Sequence, residues 1–269
     1  MRVVPIIAAF AFTVSLAACG GGGGPGDLTL ASSPTTAPVP TTATTSTTSG
    51  TASIGPAVTQ PPAVSQVARA RGHQLAVYDT PGSAHPIREL ENPWPSAKND
   101  PTVLTPQVLL VDAQQPDGWV KVLLPITPNG VDGYVRSADV AVSKVSYAIS
   151  VGLHACRMTV FKKGKVLWAG KVAVGAAASP TLEGRYSLRM ILRAPSPQSS
   201  YGPYAFGLAS RSKEVTAFAG ADNEMAIHGN NDAAALGHAV TQGSIRMPND
   251  EITKLAKLLP LGTPVYVTP

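Results

Sequence analysis

The chain has 269 residues and a formal net charge of +5, with 25 glycines, 25 prolines and three tryptophans. That length holds one large or two modest domains, and two cysteines (Cys19 and Cys156) exclude a multi-disulfide scaffold. Abundant Val, Ala, Gly and Pro point to β-structure with many turns. The placement of charge is more informative than its sum. Between Val145 and Lys213 the only acid is Glu183, against Arg157, Lys162, Lys163, Lys165, Lys171, Arg185, Arg189, Arg193, Arg211 and Lys213. Such a stretch reads either as a field for a polyanionic partner or as a solvated basic face.

Residues 1–19 read MRVVPIIAAFAFTVSLAAC. Arg2 is a short positive n-region, and Val3 to Leu16 is an uncharged apolar run too short for a comfortable membrane span. The run ends in Leu16-Ala17-Ala18-Cys19, which resembles the bacterial lipobox. In that signal the cysteine is diacylated and becomes the first mature residue. The resemblance implies a cell-envelope protein, lipid-anchored through Cys19 to the outer face of the plasma membrane. An ordinary secretory signal with a chance cysteine is the alternative. An exported chain without a DNA- or RNA-binding motif has no nucleic-acid partner to expect.

Residues 20–68 follow as a Gly, Thr, Ser, Pro and Ala run whose only charge is Asp27. It buries too little apolar surface to offset its chain entropy and reads as a disordered tether. Residues 70–143 then carry short alternating runs: Gln74–Tyr78, Val108–Val111, Trp119–Leu123 and Gly133–Val135. Thr80-Pro81-Gly82, Pro116-Asp117-Gly118 and Pro128-Asn129-Gly130 separate them as turns, which predicts a small barrel or sandwich. Gly118-Trp119-Val120-Lys121-Val122 followed by Asp132-Gly133-Tyr134-Val135 resembles bacterial SH3-like domains. The resemblance implies either cell-wall binding or a packing module that positions the next domain. Trp94, between two prolines, is expected in a loop as an anchoring core residue.

Residues 146–269 are again strand-rich. Ala155–Phe161 and Lys165–Val174 flank a Lys162-Lys163-Gly164 turn, and Arg185–Leu192 and Thr263–Val267 add strands. One helix is predicted after Pro248, capped by Asn249 or Asp250, with Ile252, Leu255, Leu258 and Leu259 on one face. Cys156 is expected in a strand as a small core residue, and His238 in a loop. With no acid or cysteine pattern near His228 and His238, no metal site is expected, and no cofactor is implied.

The elements Ile227-His228-Gly229-Asn230, Thr241-Gln242-Gly243-Ser244-Ile245-Arg246 and Leu261-Gly262-Thr263-Pro264-Val265 stand in order along this unit. Together with Tyr201-Gly202-Pro203-Tyr204 and the Pro180-Thr181-Leu182-Glu183-Gly184 turn, they resemble the L,D-transpeptidase (YkuD) core. The resemblance implies a mainly β fold, with a small SH3-like barrel preceding a β-rich catalytic-type domain that ends in one helix and a strand. It also implies acyl transfer on peptidoglycan stem peptides: a nucleophile attacks the carbonyl of the third residue of a tetrapeptide, D-alanine leaves, and an amine of a neighbouring stem takes the acyl group.

Carried over position by position, Ser244 stands at the nucleophile and His228 at its base. The Gly229 carbonyl orients the imidazole, and the N–H groups of Gly243 and Ser244 line the oxyanion hole. Arg246, Gln242, Tyr201 and Tyr204 edge the substrate. Two positions depart from the family: Ser244 replaces cysteine, and Gln242 replaces histidine. A serine hydroxyl does not ionise usefully and needs a general base, a role open to His228. Three functions follow: a serine-variant transferase, a pseudoenzyme that binds stem peptides without turnover, and a structural envelope lipoprotein.

Overall fold

The computed structural model describes residues 60–97, 100–194, 196–210 and 224–269. The export signal, Cys19, the tether up to residue 59, and Arg211 and Lys213 lie outside the described residues.

Among the described residues nine strands precede residue 146: β1 (Ser65–Ala70), β2 (Gln74–Val77), β3 (Arg88–Glu91), β4 (Trp94–Ala97), β5 (Asp100–Thr105), β6 (Val108–Gln114), β7 (Trp119–Leu123), β8 (Asp132–Arg136) and β9 (Val140–Val145). Five of them form one sheet in the order β8-β7-β6-β1-β9, and β2–β3 and β4–β5 are separate hairpins. A bridge between Tyr78 and Tyr134 ties the first hairpin to β8. Alternation sends Leu75, Val77, Leu109, Val120, Val122 and Val135 into one core. Two sequence expectations change here. β1 opens at Ser65, so residues 65–68, assigned above to the tether, are strand, because Val67 and Ala68 bury against β6 and β9. Trp94 lies in β4 instead of a loop, since the short hairpin with β5 pairs it with Thr105.

The second part contains β10 (Tyr147–Gly152), β11 (Arg157–Lys162), β12 (Lys165–Lys171), β13 (Val174–Gly175), β14 (Gly184–Arg193), β15 (Tyr204–Leu208), β16 (Ala226–Asn230), β17 (Ala239–Thr241), β18 (Ile245–Pro248), helix α1 (Asn249–Ala256) and β19 (Pro264–Thr268). An eight-stranded sheet runs β12-β11-β10-β19-β14-β15-β16-β18, and β13 pairs in parallel with β17. A bridge between Ala173, just past β12, and Arg246 on β18 brings the two edges together, so the sheet curls almost closed. The molecule is mainly β with one α-helix among the described residues, as the sequence implies.

Helix α1 packs Ile252 and Leu255 on the inner face of this sheet, in a core with Tyr186, Phe206, Ile227, Ile245 and Met247. Each aliphatic side chain so buried contributes about 1.5–3 kcal/mol. The helix stops at Ala256, earlier than the pattern predicts, and Leu258 turns out to solvent while Leu259 returns to the core. Its N-cap is Pro248, without a side-chain cap bond. The Asn249 side chain is used elsewhere, accepting from the Asn230 N–H at 2.8 Å. Cys156 is buried as expected, but in the turn before β11 at φ 46° and not in a strand. Burial pushes its thiol pKa up, which suits a packing residue better than a nucleophile.

The two parts share contacts. Val67, Val108 and Leu110 of the first pack with Tyr147 and Leu261 of the second. Arg185 on β14 reaches Asp112 at 2.8 Å and Asp132 at 3.7 Å.

Candidate functional site

Strand β16 lies between β15 and β18, antiparallel to the first and parallel to the second. The register sets Ala205 beside His228 and His228 beside Arg246. Since Ile227, Ile245 and Met247 point into the helix-side core, alternation turns His228 and Arg246 to the opposite face. Ser244 precedes Ile245, so the same alternation puts it on the face of Arg246. Ser244 lies just outside β18, two residues before the Arg246 that pairs with His228, and a rise of about 3.3 Å per residue with about 4.8 Å between strands would set its Cα about 8 Å from that of His228 if the strand continued regularly.

His228 is only 3% exposed. Its Nδ1–H donates to the Gly229 carbonyl at 2.7 Å, which leaves Nε2 with a free lone pair. The Tyr201 ring stands edge-on to the imidazole, with centroids 5.1 Å apart. Burial pushes the His228 pKa down to about 4; the Gly229 hydrogen bond opposes this, and the nearby Arg246 charge adds to it. The imidazole is therefore neutral at pH 7.

The loop before β18 is held by two threonines. Thr241 Oγ1 donates to the Ser244 carbonyl at 2.5 Å. Buried Thr181 Oγ1 donates to the Gly243 carbonyl at 3.0 Å and accepts from the Gly175 N–H at 2.8 Å. Gly243 sits at φ +94°, a conformation open to glycine and strained for other residues. With both carbonyls taken up, the N–H groups of Gly243 and Ser244 donate to no acceptor among the described residues. Ser244 is half-buried and Gln242 is exposed on the bend before it. Arg246 Nε is buried and without a hydrogen-bond partner among the described residues.

Tyr204 does not join this group. It lies on the helix side of β15, packed against the main core beside Thr253 and Lys257, because the strand alternates and Ala205 takes the His228 face. Of the two tyrosines expected to edge the substrate, Tyr201 stands against His228 and Tyr204 lies on the other face of the sheet. Gly202 and Gly229 bring two backbone segments together, and a Cβ on Gly229 would overlap Asn249 Oδ1.

Three contributors escape the sequence reading. Thr181 carries a visible signal, the Pro180-Thr181 turn, but its partner lies 62 residues away. Asn249 looks like a helix cap and instead joins Asn230 and Asn231 to the start of α1. Trp94 comes from the first part of the chain. It packs in one cluster with Met190, Ala205, Ala226 and Tyr201, on the face that holds His228. The Arg189 guanidinium lies 3.7 Å over its ring and also pairs with buried Glu224.

The L,D-transpeptidase catalytic domain model matches residues 146–267. A putative L,D-transpeptidase YqjB of Bacillus subtilis is 30% identical over 154 residues, which cover 54% of this chain and 78% of that protein. The chain belongs to the L,D-transpeptidase (YkuD) family. A putative L,D-transpeptidase YkuD of Bacillus licheniformis is 28% identical over 125 residues, 46% of this chain and 67% of that one. A solved L,D-transpeptidase mutant from Enterococcus faecium has 21% identity and a TM-score of 0.36, covering 45% of this chain and 49% of that one. The L,D-transpeptidase match thus spans about two thirds of the Bacillus licheniformis protein and about half of the Enterococcus faecium chain.

Proposed function

We propose that this protein is a peptidoglycan acyl transferase of the L,D-transpeptidase type in which Ser244 is the nucleophile and His228 its general base. The observation that carries the reading is the tautomer of His228. A neutral imidazole whose Nδ1–H is committed to Gly229 presents the Nε2 lone pair a serine requires. In the first half-reaction Ser244 Oγ attacks the carbonyl carbon of the third residue of a stem tetrapeptide, and His228 Nε2 takes the hydroxyl proton. The N–H groups of Gly243 and Ser244 hold the oxyanion. The C–N bond to terminal D-alanine then breaks, and the proton passes from Nε2 to the departing amine. In the second, a side-chain amine of another stem attacks the ester, and the serine hydroxyl is restored. In this reading Arg246, whose buried Nε has no hydrogen-bond partner among the described residues, meets the substrate carboxylate. The chemistry needs no metal or cofactor.

The same burial lowers the basicity of His228, and a slow turnover is expected from it. That favours a second reading, in which the groove holds stem peptides without cleaving them. The exported lipoprotein with an SH3-like first domain is the setting proposed for both, with Cys19 carrying the lipid. The test is D-alanine release from a stem tetrapeptide by the mature chain. Release that vanishes in Ser244→Ala and rises at least about tenfold in Ser244→Cys supports the transferase, because a thiolate forms at its lower pKa. Binding without release, unchanged by Ser244→Ala, leaves the second reading.

A further inference from the structure

The basic stretch seen in the sequence has a definite place in the fold. It is concentrated on the β11–β12 hairpin, whose turn carries Lys162, Lys163 and Lys165, all exposed. From residue 145 to residue 182 the chain has no Asp or Glu. None of the three lysines makes an ion pair with a described residue, and Lys162 rests its ammonium 5.4 Å from the Tyr147 ring centroid. β12 is also one of the two end strands of the eight-stranded sheet.

The hairpin exposes apolar surface next to these charges. Register shifts between Val160 and Phe161: Phe161 faces Val166, while Val160 faces Trp168. Leu167 is thus an extra residue on β12. In a regular strand one of two successive residues would turn inward, but here Val166 is 62% exposed and Leu167 42%. Trp168 beneath them packs on the core and fixes the hairpin in place.

The N-terminal segment arrives at the same spot. Gln60 Nε2 donates to the Gly164 carbonyl in the hairpin turn at 2.7 Å. A Cβ on Gly164 would stand 3.2 Å from the Ala63 Cβ. Residues 60–63, which lead into β1, therefore run beside the lysines.

We propose that the β11–β12 hairpin is a docking surface for anionic phospholipid. The lysines meet headgroup phosphates, and Val166 and Leu167 reach the apolar boundary beneath them. A soluble phosphate polymer would satisfy the charges and leave the two apolar side chains in water, which is why the lipid surface fits better. The assignment is independent of the acyl-transfer chemistry.

The test uses the mature chain from Gly20 without lipid, co-sedimented with vesicles of phosphatidylglycerol and phosphatidylcholine, or of phosphatidylcholine alone. Binding to the anionic vesicles is expected to exceed binding to the neutral ones by at least about tenfold and to weaken with salt. The triple variant Lys162→Gln, Lys163→Gln, Lys165→Gln is expected to lose at least about tenfold, with an unchanged melting temperature. The pair Val166→Ser, Leu167→Ser is expected to weaken vesicle binding and to leave binding of inorganic polyphosphate as it was. Equal binding to both vesicle types, or full binding by the triple variant, overturns the proposal. So does tight binding of polyphosphate with none to vesicles.

Discussion

Burial of the His228 imidazole has two consequences that can be measured separately. The first is on stability. The folded pKa of about 4 lies below the ordinary histidine value of 6.5. Between those values the unfolded chain binds a proton that the folded one does not, so stability is fully present above pH 6.5 and declines as pH falls toward 4. The gap corresponds to roughly 3 kcal/mol. Urea unfolding at pH 7 and pH 4.5 is expected to show this decline in the wild type and to lose most of it in His228→Gln. An unchanged pH slope in the variant would mean that another group titrates. The second consequence bears on the proposed chemistry: the imidazole stays unprotonated down to acid pH, at the cost of basicity. The positions of His228, Gly229, Gly243, Ser244 and Arg246 were legible in the sequence because they sit in short motifs whose spacing reflects neighbouring strands. The depth of His228 was not, since it depends on Tyr201 and on residues from other strands.

Among the elements, the loop carrying Ser244 depends on side chains distant in sequence. Thr181 spans from the Gly175 N–H to the Gly243 carbonyl, linking the turn after β13 to the turn before β18. Thr181→Val keeps the volume and leaves the buried Gly243 carbonyl and the part-buried Gly175 N–H without their partner. It is expected to cost about 2 kcal/mol in urea unfolding and to slow any acylation of Ser244. Thr181→Ser keeps the hydroxyl and is expected to cost under about 1 kcal/mol, so equal losses for the two would refute the hydrogen-bond account. Strand β7 was readable almost residue for residue, because Gly118 and alternation bracket it. Strands β3, β5 and β9 were not. Their burial patterns are largely exposed, so hydrophobic period carries no signal there. Helix α1 was found, but its cap was assigned to the wrong task, because Asn249 serves tertiary contacts that local sequence cannot reveal.

For the whole molecule, the joint between the two parts is the decisive feature. Trp94 crosses from the first part to the face of the sheet that holds His228, and Val67 and Val108 crowd the Gly262 turn of the second. Residues 60–269 are accordingly expected to unfold in one transition; two separated transitions would show that the parts are independent. Trp94→Ala removes a buried ring from beneath Arg189 and is expected to lower stability by about 3 kcal/mol. Arg185→Ala breaks only partly exposed ion pairs and is expected to cost about 1 kcal/mol or less. The two-part organisation was visible from turn spacing and motifs. The contact surface between the parts was not, since Trp94 looked like a loop residue.

The proposed pairing of His228 with Ser244 is tested most directly by trapping the acyl-enzyme. The mature chain is mixed with a stem tetrapeptide, quenched in acid, and mapped by peptide mass spectrometry. The account expects a tripeptide ester on Ser244, formed at a rate that is flat from pH 8 to pH 5 and falls through about pH 4, and abolished in His228→Gln. An ester that forms equally well in His228→Gln, or a tripeptide found on another residue, would contradict it.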